Sequence, residues 1–254
     1  MKTNIITIQL EHVSFAYHSK MKETMALQDI SFNVYKGEVV AIVGPSGCGK
    51  STLLSLLSGL RKPEEGQLYI QGEIGYMLQK DHLLEWRNVM DNAALGLEIQ
   101  HKKNPQTLAH LKKMLTIYGL DAFALSKPSE LSGGMRQRAA LIRTLVLNPD
   151  ILLLDEPCSA LDYQTKLWVN EDMIKIIKKE QKTAILVSHD LSEAISMADR
   201  IIILSPRPGT IQTILHLDFP EDESPLQRRS NPEFSQYFDL AWKEMKNSYD
   251  AVFT

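Results

Sequence analysis

Residues Gly44, Pro45, Ser46, Gly47, Cys48, Gly49, Lys50 and Ser51, followed by Thr52, fit the pattern G-x-x-x-x-G-K-[ST]. Glycines at such positions let successive backbone N–H groups turn toward one point and form an anion-binding nest. The helix that follows adds the positive end of its dipole. In this arrangement Lys50 reaches the β- and γ-phosphates of a nucleotide, and the Ser51 hydroxyl is a ligand for Mg²⁺. Gly44 through Thr52 are therefore the candidate nucleotide-binding residues. Cys48 is the odd member: either a small side chain at a position that contributes only backbone, or a redox-sensitive thiol beside phosphate.

Two carboxylates stand at the end of the apolar run Ile151-Leu152-Leu153-Leu154, namely Asp155 and Glu156. At the end of a parallel strand, side chains enter the crevice where α/β sheets bind ligands. Asp155 is placed to orient the Mg²⁺ shell, and Glu156 to accept a proton from an attacking water. The competing reading is a solvated acidic turn ahead of Pro157. Leu131-Ser132-Gly133-Gly134-Met135 opens a second helical stretch, Arg136–Leu147, so Ser132, Gly133 and Gly134 form another candidate site for an anion at a helix start.

These residues need a scaffold, and the sequence supplies one. The stretch Ile5–Val34 is rich in Ile, Val, Phe, Tyr and Thr with alternating polarity, which predicts antiparallel strands broken by a polar turn at His18–Glu23. Val39–Val43 is a short apolar run directly before the glycine-rich loop, and leucines at 53, 54, 56 and 57 mark a helical face after it. Ile151–Leu154, Ala184–Val187 and Ile201–Leu204 are further short, unbroken apolar runs, as expected of parallel strands covered on both faces. The bulk fold therefore reads as α/β. Between about 86 and 150 the pattern turns helical, over Val89–Leu97, Thr107–Tyr118 and Met135–Leu147, which predicts an inserted helical subdomain. The expected organisation is a unit over 1–217, a polar linker over 218–230 and a short helical extension over 231–254.

Composition bounds what such a chain does. Its 254 residues are 44% hydrophobic and 23% charged, ordinary for a globular protein with a full core. Lysine and arginine number 28 against 31 aspartates and glutamates, a net charge of -3. A chain held by nucleic-acid phosphates needs a basic surplus, so nucleic acid is not an expected partner. No apolar run approaches the roughly 20 residues of a spanning helix. Met1–Leu10 has one lysine and no apolar h-region, unlike a secretory signal. Cys48 and Cys158, the 2 cysteines, make neither a disulfide framework nor a zinc motif. These features predict a soluble, cytosolic protein.

Taken together, the phosphate loop, Leu131–Met135, the acidic strand end and Ser188-His189-Asp190 resemble, in order and spacing, the ATP-binding cassette (ABC) ATPases over about residues 5–215. The resemblance implies a P-loop NTPase (RecA-like) core with an N-terminal antiparallel β subdomain and the inserted helical subdomain. It implies ATP and Mg²⁺ as cofactors, Tyr17 as the aromatic that stacks on adenine, and Gln79 as a contact to Mg²⁺ and the attacking water. It implies His189 as the histidine that bonds the γ-phosphate, and Ser159-Ala160-Leu161-Asp162 as a loop along a dimer interface. In that family two cassettes face head to tail, each ATP lying between the phosphate loop of one and the Ser132–Gly134 element of the other. The other histidines are expected at the surface.

Since no spanning segment is read, the resemblance implies a separate permease subunit, with the cassette peripheral on the cytoplasmic face of the membrane. Leu204-Ser205-Pro206-Arg207-Pro208-Gly209, Met135 and Leu83-Leu84-Glu85-Trp86-Arg87 resemble the nitrate, sulfonate and taurine importers, which work with an extracytoplasmic solute-binding protein. Glu85 stands where that subfamily usually has proline, and importers of thiamine precursors share much of the pattern. In those systems Trp86 and Arg87 lie near the groove for the permease; a buried core tryptophan with a solvated arginine is the alternative. A lone-cassette exporter or lipoprotein-release ATPase, a non-transport ABC ATPase and a small-molecule kinase are the competing functional readings.

Overall fold

The short apolar runs pair as neighbours in one sheet. In the computed structural model, which describes residues 5–19, 22–159 and 161–253 (the last seven without side chains), β3 (Val39–Val43), β6 (Ile151–Asp155), β7 (Thr183–Val187) and β8 (Arg200–Leu204) are parallel partners. With β5 (Ile74–Met77), parallel to β6, and β9 (Ile211–His216), antiparallel to β8, they form a 6-stranded sheet in the order β5-β6-β7-β3-β8-β9. Parts of the expected features fall outside the described residues: Met1–Asn4 of the first unit, Lys20 and Met21 of the turn, Ala160 of the interface loop, and Thr254.

Strand alternation divides the core in two. Val40, Ile42, Ile151, Leu153, Ile185, Val187, Ile202 and Leu204 face one side. There they meet α1 (Lys50–Leu57) and an antiparallel sheet of β1 (Ile6–His18), β2 (Glu23–Tyr35) and β4 (Glu65–Ile70), in the order β2-β1-β4. Val39, Ala41, Val43, Leu152, Leu154, Ala184, Leu186, Ile201 and Ile203 face the other side, against helices. Residues buried on both faces of a parallel sheet read as continuous apolar runs, which is why these strands stand out in the sequence.

The region 86–150 carries helices and no strand among the described residues: α2 (Val89–Ala93), α3 (Leu95–Ile99), α4 (Pro105–Ile117) and α5 (Gly133–Leu145). The expected single helix Val89–Leu97 is two, because the chain tightens at Ala94 (φ -79°, ψ -7°). Asn104 caps α4 by accepting from the N–H groups of Gln106 and Thr107, with Pro105 at the first helical position. After β6 and β7 come α6 (Tyr163–Lys179) and α7 (Leu191–Met197). Within the stretch expected as a linker, α8 (Pro225–Ser230) is helical, and α9 (Pro232–Phe253) follows. Arg228 is buried and donates to the Ala198 carbonyl at 2.6 Å, where α7 ends. Phe234, Tyr237 and Phe238 of α9 pack on the helical side of the core.

One buried ion pair fastens the two sheets. Arg200, at the start of β8, reaches both carboxylate oxygens of Glu38 at 2.9 and 3.0 Å, and the Asn33 carbonyl of β2 at 2.6 Å. Removing one partner strands the other charge in the interior. Arg200→Met is expected to cost about 3–5 kcal/mol in urea unfolding. The double variant Glu38→Leu/Arg200→Met should lose less than Arg200→Met alone; an equal or larger loss contradicts the assigned burial penalty.

Candidate active site

Four loops leave neighbouring strand ends on one edge of the sheet. Between β3 and α1, Gly49 holds φ +108°, a conformation that side chains resist. A Cβ there would sit 2.6 Å from Leu27 Cδ2 and 2.9 Å from the Ala26 carbonyl, so β2 fixes the loop from behind. Gly44, Pro45 and Cys48 are buried, while Ser46, Gly47 and Ser51 are exposed. Lys50 is buried and its ammonium donates to the carbonyls of Gly44 at 2.7 Å and Pro45 at 3.0 Å. Burial pushes the Cys48 thiol up, against the smaller opposing pull of Lys50. The thiolate is the reactive form, so this favours a packing role for Cys48 over a redox one.

At the end of β6 the carboxylates separate in role. Asp155 is half-buried and accepts from the Tyr76 hydroxyl at 3.3 Å. Burial raises its carboxyl above the usual range, with Tyr76 and Lys50 opposing and Glu156 adding to the rise. The same neighbourhood pushes the Tyr76 phenol up to about 12, chiefly through burial and then the Asp155 charge. Glu156 leaves the strand with φ +45°, an uncommon conformation for a residue other than glycine. Its Oε2 accepts from Gln79 Nε2 at 2.9 Å and lies 3.1 Å from His189 Nδ1. The three residues expected to be catalytic thus meet on one carboxylate oxygen.

His189 is held by a charged network beneath it. Ser188 hydrogen-bonds Glu193, and Asp190 caps α7 by accepting from the Glu193 N–H at 3.2 Å. Lys166, in the first turns of α6, donates to Asp190 Oδ2 at 2.9 Å and lies 3.5 Å from Glu193 Oε2. Asp162, which ends the loop after Glu156, caps α6 by accepting from the Thr165 N–H. Burial pushes the Asp190 carboxyl up, but Lys166, helped by the Glu193 N–H and Arg229, holds the group below the usual range.

A cleft of about 320 Å³ is lined by Tyr17, Ala26, Ser46, Gly47, Gly49, Lys50, Ser51, Thr52, Glu156 and Arg207. Tyr17 hydrogen-bonds Thr52 through their hydroxyls at 3.0 Å, and the Arg61 guanidinium lies 4.8 Å from its ring centroid. The hard oxygen donors Ser51, Asp155 and Gln79 suit Mg²⁺ by type, and a carboxyl burdened by burial and a neighbouring acid is one that a cation relieves. Ser132, Gly133 and Gly134 are not in the cleft's lining; Ser132 caps α5 by accepting from the Met135 N–H at 3.3 Å. The other six histidines are exposed. So is Trp86, at 74%, which removes the reading of a core tryptophan, while Arg87 pairs with Glu98. The sequence assigns no role to Tyr76, Lys166 or Arg207: Tyr76 lies in the Tyr76-Met77-Leu78-Gln79 segment that carries Gln79, Arg207 in a segment that marks only a subfamily, and Lys166 in no motif.

Residues 27–159 match a family described as ABC transporter. The ABC transporter ATP-binding protein YtlC of Bacillus subtilis (strain 168) is 43% identical over 94% of this chain and 96% of its own length. The taurine import ATP-binding protein TauB of Rhizobium johnstonii is 36% identical, over 90% of this chain and 92% of its own. Among solved structures, the dimeric post-hydrolysis state of the ATP-binding cassette MJ0796 bound to ADP and Pi is similar with a TM-score of 0.70. It is 30% identical and covers 84% of this chain and 100% of that one.

The network under His189 yields a stability test. A carboxyl held below its ordinary value of 3.8 stabilises the fold above the unfolded value and loses that contribution as acid protonates it. Lys166→Met leaves Asp190 and Glu193 without their counter-charge and is expected to cost about 3 kcal/mol at pH 7. The difference between wild type and variant should shrink below about pH 4 as Asp190 is neutralised. Urea melts across that range check it; a pH-independent difference contradicts the charge assignment.

Proposed function

This chain belongs to the ABC transporter family, as an ATP-hydrolysing subunit coupled to transmembrane transport, and on that premise we propose that it powers an importer and works through the residues placed above. The observation that carries the proposed chemistry is the single Glu156 oxygen shared by Gln79 and His189, on a residue that lines the same cleft as Lys50 and its loop. In this reading the loop amides, Lys50, Ser51 and Thr52 hold the phosphates of ATP, and the exposed face of Tyr17 receives adenine. Glu156 takes the proton of the attacking water while Gln79 orients that water. His189, kept in place by Ser188 and Asp190, bonds the γ-phosphate. Ser51, Gln79 and Asp155 would hold Mg²⁺, which when bound neutralises charge developing on the phosphates.

One copy of this chain leaves Ser132, Gly133 and Gly134 away from its own cleft. A second, head-to-tail copy lays that element against the γ-phosphate, so ATP joins the two copies and hydrolysis releases them. The fold ties this element to the cleft's catalytic edge. Arg136 of α5 pairs with Asp81 at 3.2 Å, and Arg143 donates to the carbonyls of Asp81 and His82, two and three residues beyond Gln79. A movement felt at Gln79 is thereby carried into the helical subdomain.

The partner that receives this movement is a permease subunit in the membrane, and the exposed Trp86 stands on the loop after Gln79 where such a partner docks. No helix among the described residues is long and apolar enough to cross a membrane. In this reading the chain is peripheral on the cytoplasmic face, with an extracytoplasmic solute-binding protein as an indirect partner and no nucleic acid. The likeness to a taurine import protein supports a solute of the nitrate, sulfonate or taurine type; a thiamine-precursor type shares the sequence pattern.

Glu156→Gln is expected to keep ATP affinity while lowering the hydrolysis rate by about 100-fold or more, as removal of a general base does. Tyr17→Ala should weaken ATP but leave inorganic triphosphate unchanged. Phosphate release and calorimetry read both. Wild-type turnover in the first variant contradicts the assigned base, and equal losses for both ligands in the second contradict the adenine platform.

A further inference from the structure

Arg207 lines the cleft, yet none of the roles above uses it. Its backbone is held on both sides. Gly209, two residues on, donates to the Ala26 carbonyl at 3.0 Å and accepts from the Gln28 N–H at 2.9 Å, which sews the loop onto β2. Gly209 also lies so close to the phosphate loop that a Cβ would come 2.1 Å from the Cys48 carbonyl. On the other side, Ser205 closes the turn: its N–H donates to the Thr210 carbonyl at 3.0 Å, and its hydroxyl accepts from the Thr210 N–H at 2.9 Å. Pro206 and Pro208 flank Arg207 and restrict its backbone further.

The side chain this clasp presents is exposed, and among the described residues its guanidinium has no hydrogen-bond or ion-pair partner. By contrast, the cleft's other cation, Lys50, already donates to two carbonyls of its own loop. An uncommitted planar cation, carried on a clamped backbone that lines the same cleft as Ser46 and Gly47, is a ready partner for phosphate oxygens. We propose that Arg207 is a further nucleotide-contacting residue, whose guanidinium pairs with the phosphate chain of the bound nucleotide. This rests on the cleft being the ATP site. It assigns a binding role to the Pro-Arg-Pro-Gly segment, which in the sequence marks only a subfamily.

The test is calorimetry on the full chain with ATP, ADP and inorganic tripolyphosphate, comparing wild type with Arg207→Gln and Lys50→Ala. Arg207→Gln should weaken all of these ligands by about tenfold, the usual scale for one charge-assisted hydrogen bond, and by a similar factor each. It should also flatten the dependence of ATP affinity on salt. ATP and ADP affinities within twofold of wild type overturn the inference. So does a loss for ATP that tripolyphosphate does not share, since the contact would then be to the nucleoside. If Lys50→Ala also binds ATP as tightly as wild type, the cleft is not the nucleotide site and the reading beneath the inference falls with it. If Lys50→Ala loses ATP while Arg207→Gln does not, the inference alone falls.

Discussion

Two backbone hydrogen bonds continue the parallel sheet past its strand ends. Glu156 donates its N–H to Val187, and Ser188 donates its N–H to Ile42. Through them the segments that leave β6, β7 and β3 stay in register as they become loops. With β5 beside β6, neighbouring strands end in Gln79, Asp155 and Glu156, Ser188 and His189, and the phosphate loop. The order of strands is thus the order of chemical groups across the site. A slip of one residue would exchange the side chains that face the helices with those that face the antiparallel sheet, and both close-packed cores would have to repack. The geometry of the site is in this sense inherited from Val, Ile and Leu residues that never touch a ligand.

On this frame the charges are arranged to be incomplete within one chain. Lys50 is folded onto its own loop, Asp155 is pushed toward its neutral form by burial, and Arg207 has no acidic partner among the described residues. The burial that raises Asp155 is a cost in the isolated fold that a nearby cation would offset. Ser132, Gly133 and Gly134 at the start of α5, on the other hand, do not line the chain's own cleft. The Arg136 and Arg143 contacts join that helix to the loop after Gln79.

How far the sequence discloses this follows from burial and chemistry. β3, β6, β7 and β8 are legible because they are buried on both faces and read as uninterrupted apolar runs. β4 is not, because Glu65, Gly66, Gln67 and Tyr69 are exposed and leave no apolar pattern. β5 is only Ile74–Met77, with Gly75 inside it, and β9 is a half-buried edge. α8 hides in a polar stretch because what fastens it is one buried arginine, Arg228, on a helix end rather than an apolar stripe. The loop motif declares itself through glycines and a lysine at fixed spacing. Tyr76 and Lys166 carry no such spacing, since their partners are 79 and 24 residues away in the chain. Tyr17, Gln79 and His189 came from family resemblance, and only the shared Glu156 oxygen gives the latter two a common physical place.

The central claim is that each ATP site is split between two copies of this chain, Lys50 and its loop on one and Ser132–Gly134 on the other. Mixing two inactive variants tests it directly. Lys50→Ala should lack a working loop, Ser132→Arg should lack a working opposite element, and neither alone should hydrolyse ATP. A mixed dimer contains one site in which both halves are intact. The account predicts that mixing the two proteins restores ATP hydrolysis, with a rate that depends on the product of their concentrations. A mixture as inactive as its components, with both proteins folded, would contradict a shared site.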